Sequence, residues 1–209
     1  MRGFGHPARR PLGTRLYGRR VVLRPLTAAD FPEWTEVRVR NDAWLRPWEP
    51  ARPIGVIDPT ISREAFEARC SARDRDRHSD TSYGFGVFVD GRVAGEVNLN
   101  GIVRGAQQTG TIGYWIDRRH AGQRYTAEGV VAVLRFAFEE IDLHRVEICI
   151  VPRNANSRRI MEVLAIREEG LAERFLQING VWEDHLRYAI TTEEWCDRRD
   201  DLATTWLSV

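Results

Sequence analysis

The 209-residue chain is poor in the features that would announce a function directly. Its three cysteines, Cys70, Cys149 and Cys196, lie far apart with no CxxC or Cys/His ligand spacing. Neither a disulfide framework nor a metal site is expected, and a reducing cytoplasm fits. No apolar run approaches the ~20 residues that a membrane helix needs. Net charge is almost absent, with 31 basic against 30 acidic residues, so no global field draws the chain to nucleic acid or a membrane surface. The opening stretch "MRGFGHPARRPLGTRLYGRR" is basic but has no apolar segment of the secretory kind. Neither GxxxxGK[ST] nor GxGxxG occurs. These absences leave a cytoplasmic, soluble protein, and a hydrophobic content of 43% is enough to bury one core.

Residues 1–18, rich in Gly, Pro and Arg, read as a flexible leader, and 19–209 as a single domain. "VVLRPL" (Val21 to Leu26) reads as a strand, and Thr27 can cap a short helix over "TAADFPEWTEVRVR". "NDAWLRPWEPARP" is expected to be loop, and residues 61–79 an amphipathic polar helix. Two β-rich runs flank Asp90-Gly91, a type I′ hairpin signal, and "TGTIGYWID" supplies a third. From about Thr126 to Ile141 the apolar residues Val130, Val133, Leu134, Ala137, Phe138 and Ile141 recur at helical spacing. "HRVEICIV" is a buried strand, and Asn154 can cap the helix that carries Ile160, Val163 and Leu164. A hairpin around Asn179-Gly180 and a short capped helix at "TTEEW" close the chain. This order implies an α+β fold with a mostly antiparallel central sheet flanked by helices and one βαβ-like crossover.

The stretch "RRHAGQRYTAEGV" (118–130) joins a strand to the long helix. The first helical N–H groups have no partner inside the helix, and with the helix dipole they form an anion site. Gly122 permits a sharp turn, and Arg118, Arg119 and Arg124 add positive charge. Two readings stay open from spacing alone: a phosphate cradle, or a plain loop entering a helix. Glu128 suits the positive helix end in either case.

The run from Arg119 to Arg124 resembles the R/Q-x-x-G-x-G/A pyrophosphate loop of the Gcn5-related N-acetyltransferase (GNAT) superfamily. "GYWID" (113–117) resembles that superfamily's fourth strand, and "LHRVEICIVPRNANSRRIMEVLAIREEG" (143–170) its fifth strand and fourth helix. "ERFLQINGVWEDHLRYAITTEEW" and "NDAWLRPWEP" are similar to the branch that acetylates protein N-termini, the Rim-type ribosomal-protein-alanine acetyltransferases. The likeness covers residues 17–195 and implies the acyl-CoA N-acyltransferase fold.

Four positions depart from the pattern. Arg124 replaces the last glycine of the loop, where a positive φ would cost of order 1 kcal/mol, or its guanidinium adds a phosphate contact. Ala165-Ile166 stands for Gly-Phe and reads as a packing change. Met161 occupies the place of a tyrosine acid and cannot give a proton.

The resemblance implies acetyl-CoA as cosubstrate, with no metal and with direct transfer to an amine. The backbone of Trp115, Ile116 and Asp117 would pair with the pantetheine arm, and Gly122, Gln123, Arg124, Tyr125 and Thr126 would wrap the pyrophosphate. Asn154 and Ser157 would reach the pantetheine or thiol, with Ser157 also a candidate acid. Glu96 is the candidate base, acting through water, against a second reading as a solvated strand carboxylate. Trp44, Arg46, Trp48 and Asp184 are the candidates for the acceptor wall, against packing and hydrogen-bonding roles. His120 is expected on the surface, and Cys149 has no base beside it to make it a nucleophile.

The expected acceptor is a protein N-terminal α-amino group, with the ribosome as a partner. The rivals are a small amine acceptor, such as an antibiotic or a metabolite, and a non-catalytic acyl-CoA-binding module. No membrane and no sequence-specific nucleic-acid partner is expected. Trp195 and Trp206 fit either a core or an oligomer contact.

Overall fold

In a computed structural model the described residues are 14–208. Most of the leader read over 1–18 therefore lies outside them. Its last part does not read as leader, because β1 (Leu16–Tyr17) pairs with β2 (Val21–Arg24) and Leu16 is buried. After an Asp30-anchored turn come α1 (Phe31–Arg40), a very short α2 (Asp42–Leu45) and α3 (Arg63–His78). Strands β3 (Tyr83–Val89), β4 (Arg92–Val103) and β5 (Thr109–Ile116) form the expected antiparallel meander. Helix α4 (Tyr125–Arg135), extended by a π turn over Phe136–Glu140, crosses to β6 (Arg145–Ile150). The chain finishes with α5 (Ala155–Leu164), β7 (Arg167–Ile178), β8 (Val181–Thr191) and α6 (Thr192–Trp206).

The eight strands lie in the order β1-β2-β3-β4-β5-β6-β8-β7, antiparallel except where β5 meets β6. Both predicted tight hairpins are present. Asp90 and Gly91 have φ of 49° and 77°, and Asn179 and Gly180 have 46° and 85°, the double positive φ of a type I′ turn.

The sheet buries both faces. Helix α4 packs its apolar side on Leu23, Val97 and Leu99 within the larger core, and α5 and α6 complete that layer. A smaller cluster of Trp34, Val37, Phe66, Phe88 and Val93 lies under α1 and α3 on the other face. Trp195 and Trp206 are buried in the larger core, which settles their role as packing.

Three local expectations change. "NDAWLRPW" is not loop: it forms α2 and a 3-10 turn over Arg46–Trp48, with Pro47 in the first turn, where no N–H is needed. "TTEEW" begins a full 15-residue helix, capped reciprocally by Thr191 and Glu194. Ala165 is not simply a packing change, since it has φ 47° and ψ 42° at the C-terminus of α5, the left-handed position that glycine usually fills. Only Ile166 packs, being buried against the core. Ala165→Gly should therefore stabilise the protein by about 0.5–1 kcal/mol in urea unfolding. An unchanged or lower midpoint would show that the strain at this residue is negligible.

Candidate active site

β5 and β6 pair only through Thr109–Arg145, Gly110–Val146 and Thr111–Glu147; beyond that register they part. The Asp117 N–H donates to the Ala94 carbonyl at 2.7 Å, so Asp117 and, two residues back, Trp115 turn their backbone groups toward β4. By the same alternation Tyr114 and Ile116 direct theirs toward the gap left by β6. This corrects the expected backbone set: Trp115 and Asp117 are already committed to β4, and Tyr114 and Ile116 are the residues whose backbone faces the gap. Trp115 still lines the cleft, while its ring packs against the cluster under α1 and α3 and lies beneath the Arg38 guanidinium.

Asp117 has a different task. It is buried, and its carboxylate accepts from Arg40 (3.2 Å to Nε), from Asn41 Nδ2 (2.8 Å) and from the Arg119 N–H (3.2 Å). Burial pushes its pKa up, but the Arg40 and Asn41 hydrogen bonds outweigh that and hold the carboxyl below the usual range. The side chain thereby ties α1 to the turn over Arg118–His120 that leads into α4.

In that turn Gly122 has φ 77°, and nothing lies within 4 Å of where a Cβ would stand, so the backbone there is open on that side. Arg124 also lies in the left-handed region, at φ 68° and ψ 8°, in the position expected to need it. The first α4 amide to find a helical acceptor is that of Glu128, on the Arg124 carbonyl at 3.1 Å. Those of Tyr125, Thr126 and Ala127 come before any i−4 carbonyl inside the helix. Glu128 is not a bystander at the helix end. It is buried and accepts from Arg20 Nε and from the Arg20 backbone N–H, while Arg20 also donates to the Gln123 carbonyl and covers the Tyr125 ring at 4.6 Å. The Gln123 N–H is occupied by the His120 carbonyl at 3.4 Å, and its side chain by the Arg119 carbonyl at 2.9 Å.

Gap and turn open into one cleft of about 390 Å³. Tyr114, Trp115, Ile116, Gly122, Arg124 and Thr126 line one side, and Asn154 and Ser157 at the start of α5 line the other. Asn154 caps α5, accepting from the Ser157 N–H at 3.1 Å, so the capping reading holds, and it also lines the cleft. Ser157 Oγ donates to Tyr114 Oη at 3.0 Å. Burial pushes the Tyr114 phenol well above its ordinary pKa, with the Ser157 hydrogen bond opposing. Met161 is buried in the core. Trp44, Leu45, Trp48 and Glu49 form a front wall.

Three candidates lie elsewhere. Glu96 is neither solvated nor on the cleft wall; it is buried and accepts from Trp34 Nε1 at 2.8 Å and Arg69 at 2.6 Å. Burial pushes its pKa up, but the Arg69 charge and the Trp34 indole outweigh this and hold it below the usual range, which suits a structural anion rather than a base. Arg46 pairs with Asp42 on the outer side of the front wall. Asp184 accepts from the Arg174 N–H at 2.8 Å and braces an irregularity in the β7–β8 pairing. Sequence reasoning missed Tyr114, Glu49, Asn156 and Arg159 on the cleft wall, and His120, expected on the surface, is there too. The even-numbered outward register of β5 could have found Tyr114; nothing local marks Glu49.

The chain matches the Acetyltransferase (GNAT) domain family over residues 20–167 and belongs to that family: it is an N-acetyltransferase of the GNAT type. It is 36% identical over 177 residues to the "Probable N-acetyltransferase YjcK" of Bacillus subtilis, covering 84% of this chain and 96% of that protein. It is 27% identical over 198 residues to the [Ribosomal protein uS5]-alanine N-acetyltransferase of Escherichia coli, covering 94% of this chain and all of that one. Among solved structures, Mycobacterium smegmatis RimJ in complex with CoA-disulfide is similar at TM-score 0.82 and 28% identity, over 92% of this chain and 93% of that one.

Asp117→Asn should expose the cost of the Asp117 network. A carboxyl with a depressed folded pKa stabilises above its unfolded value of about 4 and loses that effect as pH falls through the folded value. The stability gap between wild type and variant, read by urea unfolding, should be widest above about pH 5 and close below about pH 4. A gap that does not change with pH would show that folding leaves the Asp117 pKa unshifted.

Proposed function

We propose that this acetyltransferase moves the acetyl group of acetyl-CoA directly onto the free α-amino group of a protein N-terminus, with a ribosomal protein as acceptor. The observation that carries the reading is the unpaired edge of β5 running straight into the amide-lined start of α4. A long polar arm ending in a diphosphate fits that path. The outward backbone of Tyr114 and Ile116 would hold the pantetheine arm, as a strand would, and Asn154 would meet its far side. The amides of Gly122 and of Arg124 to Thr126 would receive the diphosphate. Among the described residues the Arg124 guanidinium has no hydrogen bond or ion pair, so it is available to the same anion.

Bound acetyl-CoA supplies a thioester carbonyl open to attack. An α-amino group with a pKa of about 7.7–8.0 is partly neutral at cellular pH, so water can take its proton and no strong base is required. As the N–C bond forms and the C–S bond breaks, Ser157 Oγ gives its proton to the departing sulfur. Tyr114, kept protonated by burial, positions Ser157 by accepting from its Oγ and donating to its carbonyl, and Ser157 would recover its proton from water in the open cleft.

Two observations support a protein acceptor over a small amine. Similar proteins include the uS5-alanine enzyme. The front wall is also flanked by exposed apolar side chains, Ile54, Val56 and Ile57 on the following loop and Val181 and Trp182 near the β7–β8 tip, more surface than a small amine uses.

Purified protein with acetyl-CoA and peptides beginning with alanine or serine should give α-N-acetyl products by mass spectrometry. Turnover only on small amines would overturn the acceptor, and CoA binding without any turnover would make the chain a binding module. Ser157→Ala should lower kcat by about 10²-fold while the KM for acetyl-CoA stays within about threefold. An unchanged kcat would remove Ser157 from the chemistry.

A further inference from the structure

The cleft is electrically asymmetric. Arg124 on the turn before α4 and Arg159 on α5, the latter paired with Glu162, line it, whereas Glu49 is the one carboxylate among the described residues that do so. The front wall that carries Glu49 is also lined by Trp44, Leu45 and Trp48 of its own segment, and Trp115 of β5 shares Arg38 with it. We infer that Glu49, framed by these tryptophans, is the residue that receives the cationic amine of the acceptor. This rests on the acetyl-transfer reading of the cleft and assigns the acceptor half of it.

Glu49 is held firmly. Arg38 donates to both carboxylate oxygens at 2.7 Å, and the Arg38 guanidinium is itself fixed over the Trp115 ring at 4.9 Å. The Glu49 backbone is pinned as well, its carbonyl accepting from the Asn179 N–H at 2.9 Å. An ionised carboxylate has about four lone-pair sites, and the guanidinium fork uses two. The remainder is accessible, because the Glu49 side chain keeps 32% of its surface exposed. Each of the three indoles already carries a guanidinium over its ring, Arg118 on Trp44, Arg153 on Trp48 and Arg38 on Trp115, so they supply the apolar wall and the carboxylate supplies the attraction. The arrangement fits an ammonium, which can donate to the free lone pairs while its α-carbon contacts the aromatic wall. It does not fit the diphosphate end of the cosubstrate, which the carboxylate would repel.

The test uses CoA in place of acetyl-CoA, so that no transfer occurs, at about pH 6.5, where an α-amino group is mostly protonated. CoA-saturated wild type and Glu49→Gln are titrated calorimetrically with an alanine-initiated peptide and with the same peptide Nα-formylated. The free-amine peptide should bind the variant at least about tenfold more weakly, and the formyl peptide should bind both proteins within about twofold. Glu49→Asp, which keeps the charge, should restore a preference for the free amine. Equal binding of the free-amine peptide to wild type and Glu49→Gln, binding to neither, or a matching loss of CoA affinity in Glu49→Gln would overturn the inference, the last by showing a structural role only. Because the readout is binding, a wild type that acetylates no peptide would overturn the proposed acceptor without deciding Glu49; the ratio of dissociation constants decides that separately.

Discussion

Two parallel strands that begin as partners and then part are the constraint on which this molecule turns. A buried backbone amide or carbonyl without a partner is costly, so a sheet tolerates such a gap only where something else fills it. Here the exposed half of β5 is followed at once by a turn and a helix N-terminus, and the gap, the turn and the helix start share one cleft. Every other element of the site is arranged around that opening: α5 supplies its far side, and the short helices after α1 close its front.

Holding the opening in shape takes charge as well as packing. Asp117 gathers hydrogen bonds from α1 and from the turn, and Glu128 gathers the backbone and side chain of Arg20. Both carboxylates are buried, so removing either partner would strand a charge, an outcome worth several kcal/mol against folding. The left-handed Arg124 is a smaller burden, of order 1 kcal/mol, carried at the one place where the backbone must turn its amides outward.

Much of this was legible in the sequence. Alternation, helical spacing and the two type I′ signals pointed to the elements, and the GNAT resemblance pointed to their order and to the turn that leads into α4. What stayed hidden has specific causes. Alternation divides the residues of β5 into two sets, but which set faces β4 is fixed only by the pairing, so Trp115 and Asp117 were named with Ile116 and Tyr114 was left out. Glu96 looked like a free strand carboxylate because Trp34 and Arg69, its partners, are 62 and 27 residues away. Three prolines disguised a helical segment after α1, since proline breaks a helix only beyond its first turn. Ala165 looked like a change of side-chain volume, whereas what matters there is backbone angle.

That disguised segment, residues 42–49, separates the cleft from a second hollow of about 470 Å³. Trp44, Leu45 and Trp48 face inward, while Asp42, Ala43, Arg46 and Pro47 face outward, as the turn of a helix dictates. A thin partition with two independent faces can exchange one set of side chains without disturbing the other. The lining of the cleft and the chemistry of the outer surface are thereby free to diverge separately, on a stretch of chain that lies apart from both β5 and the start of α4.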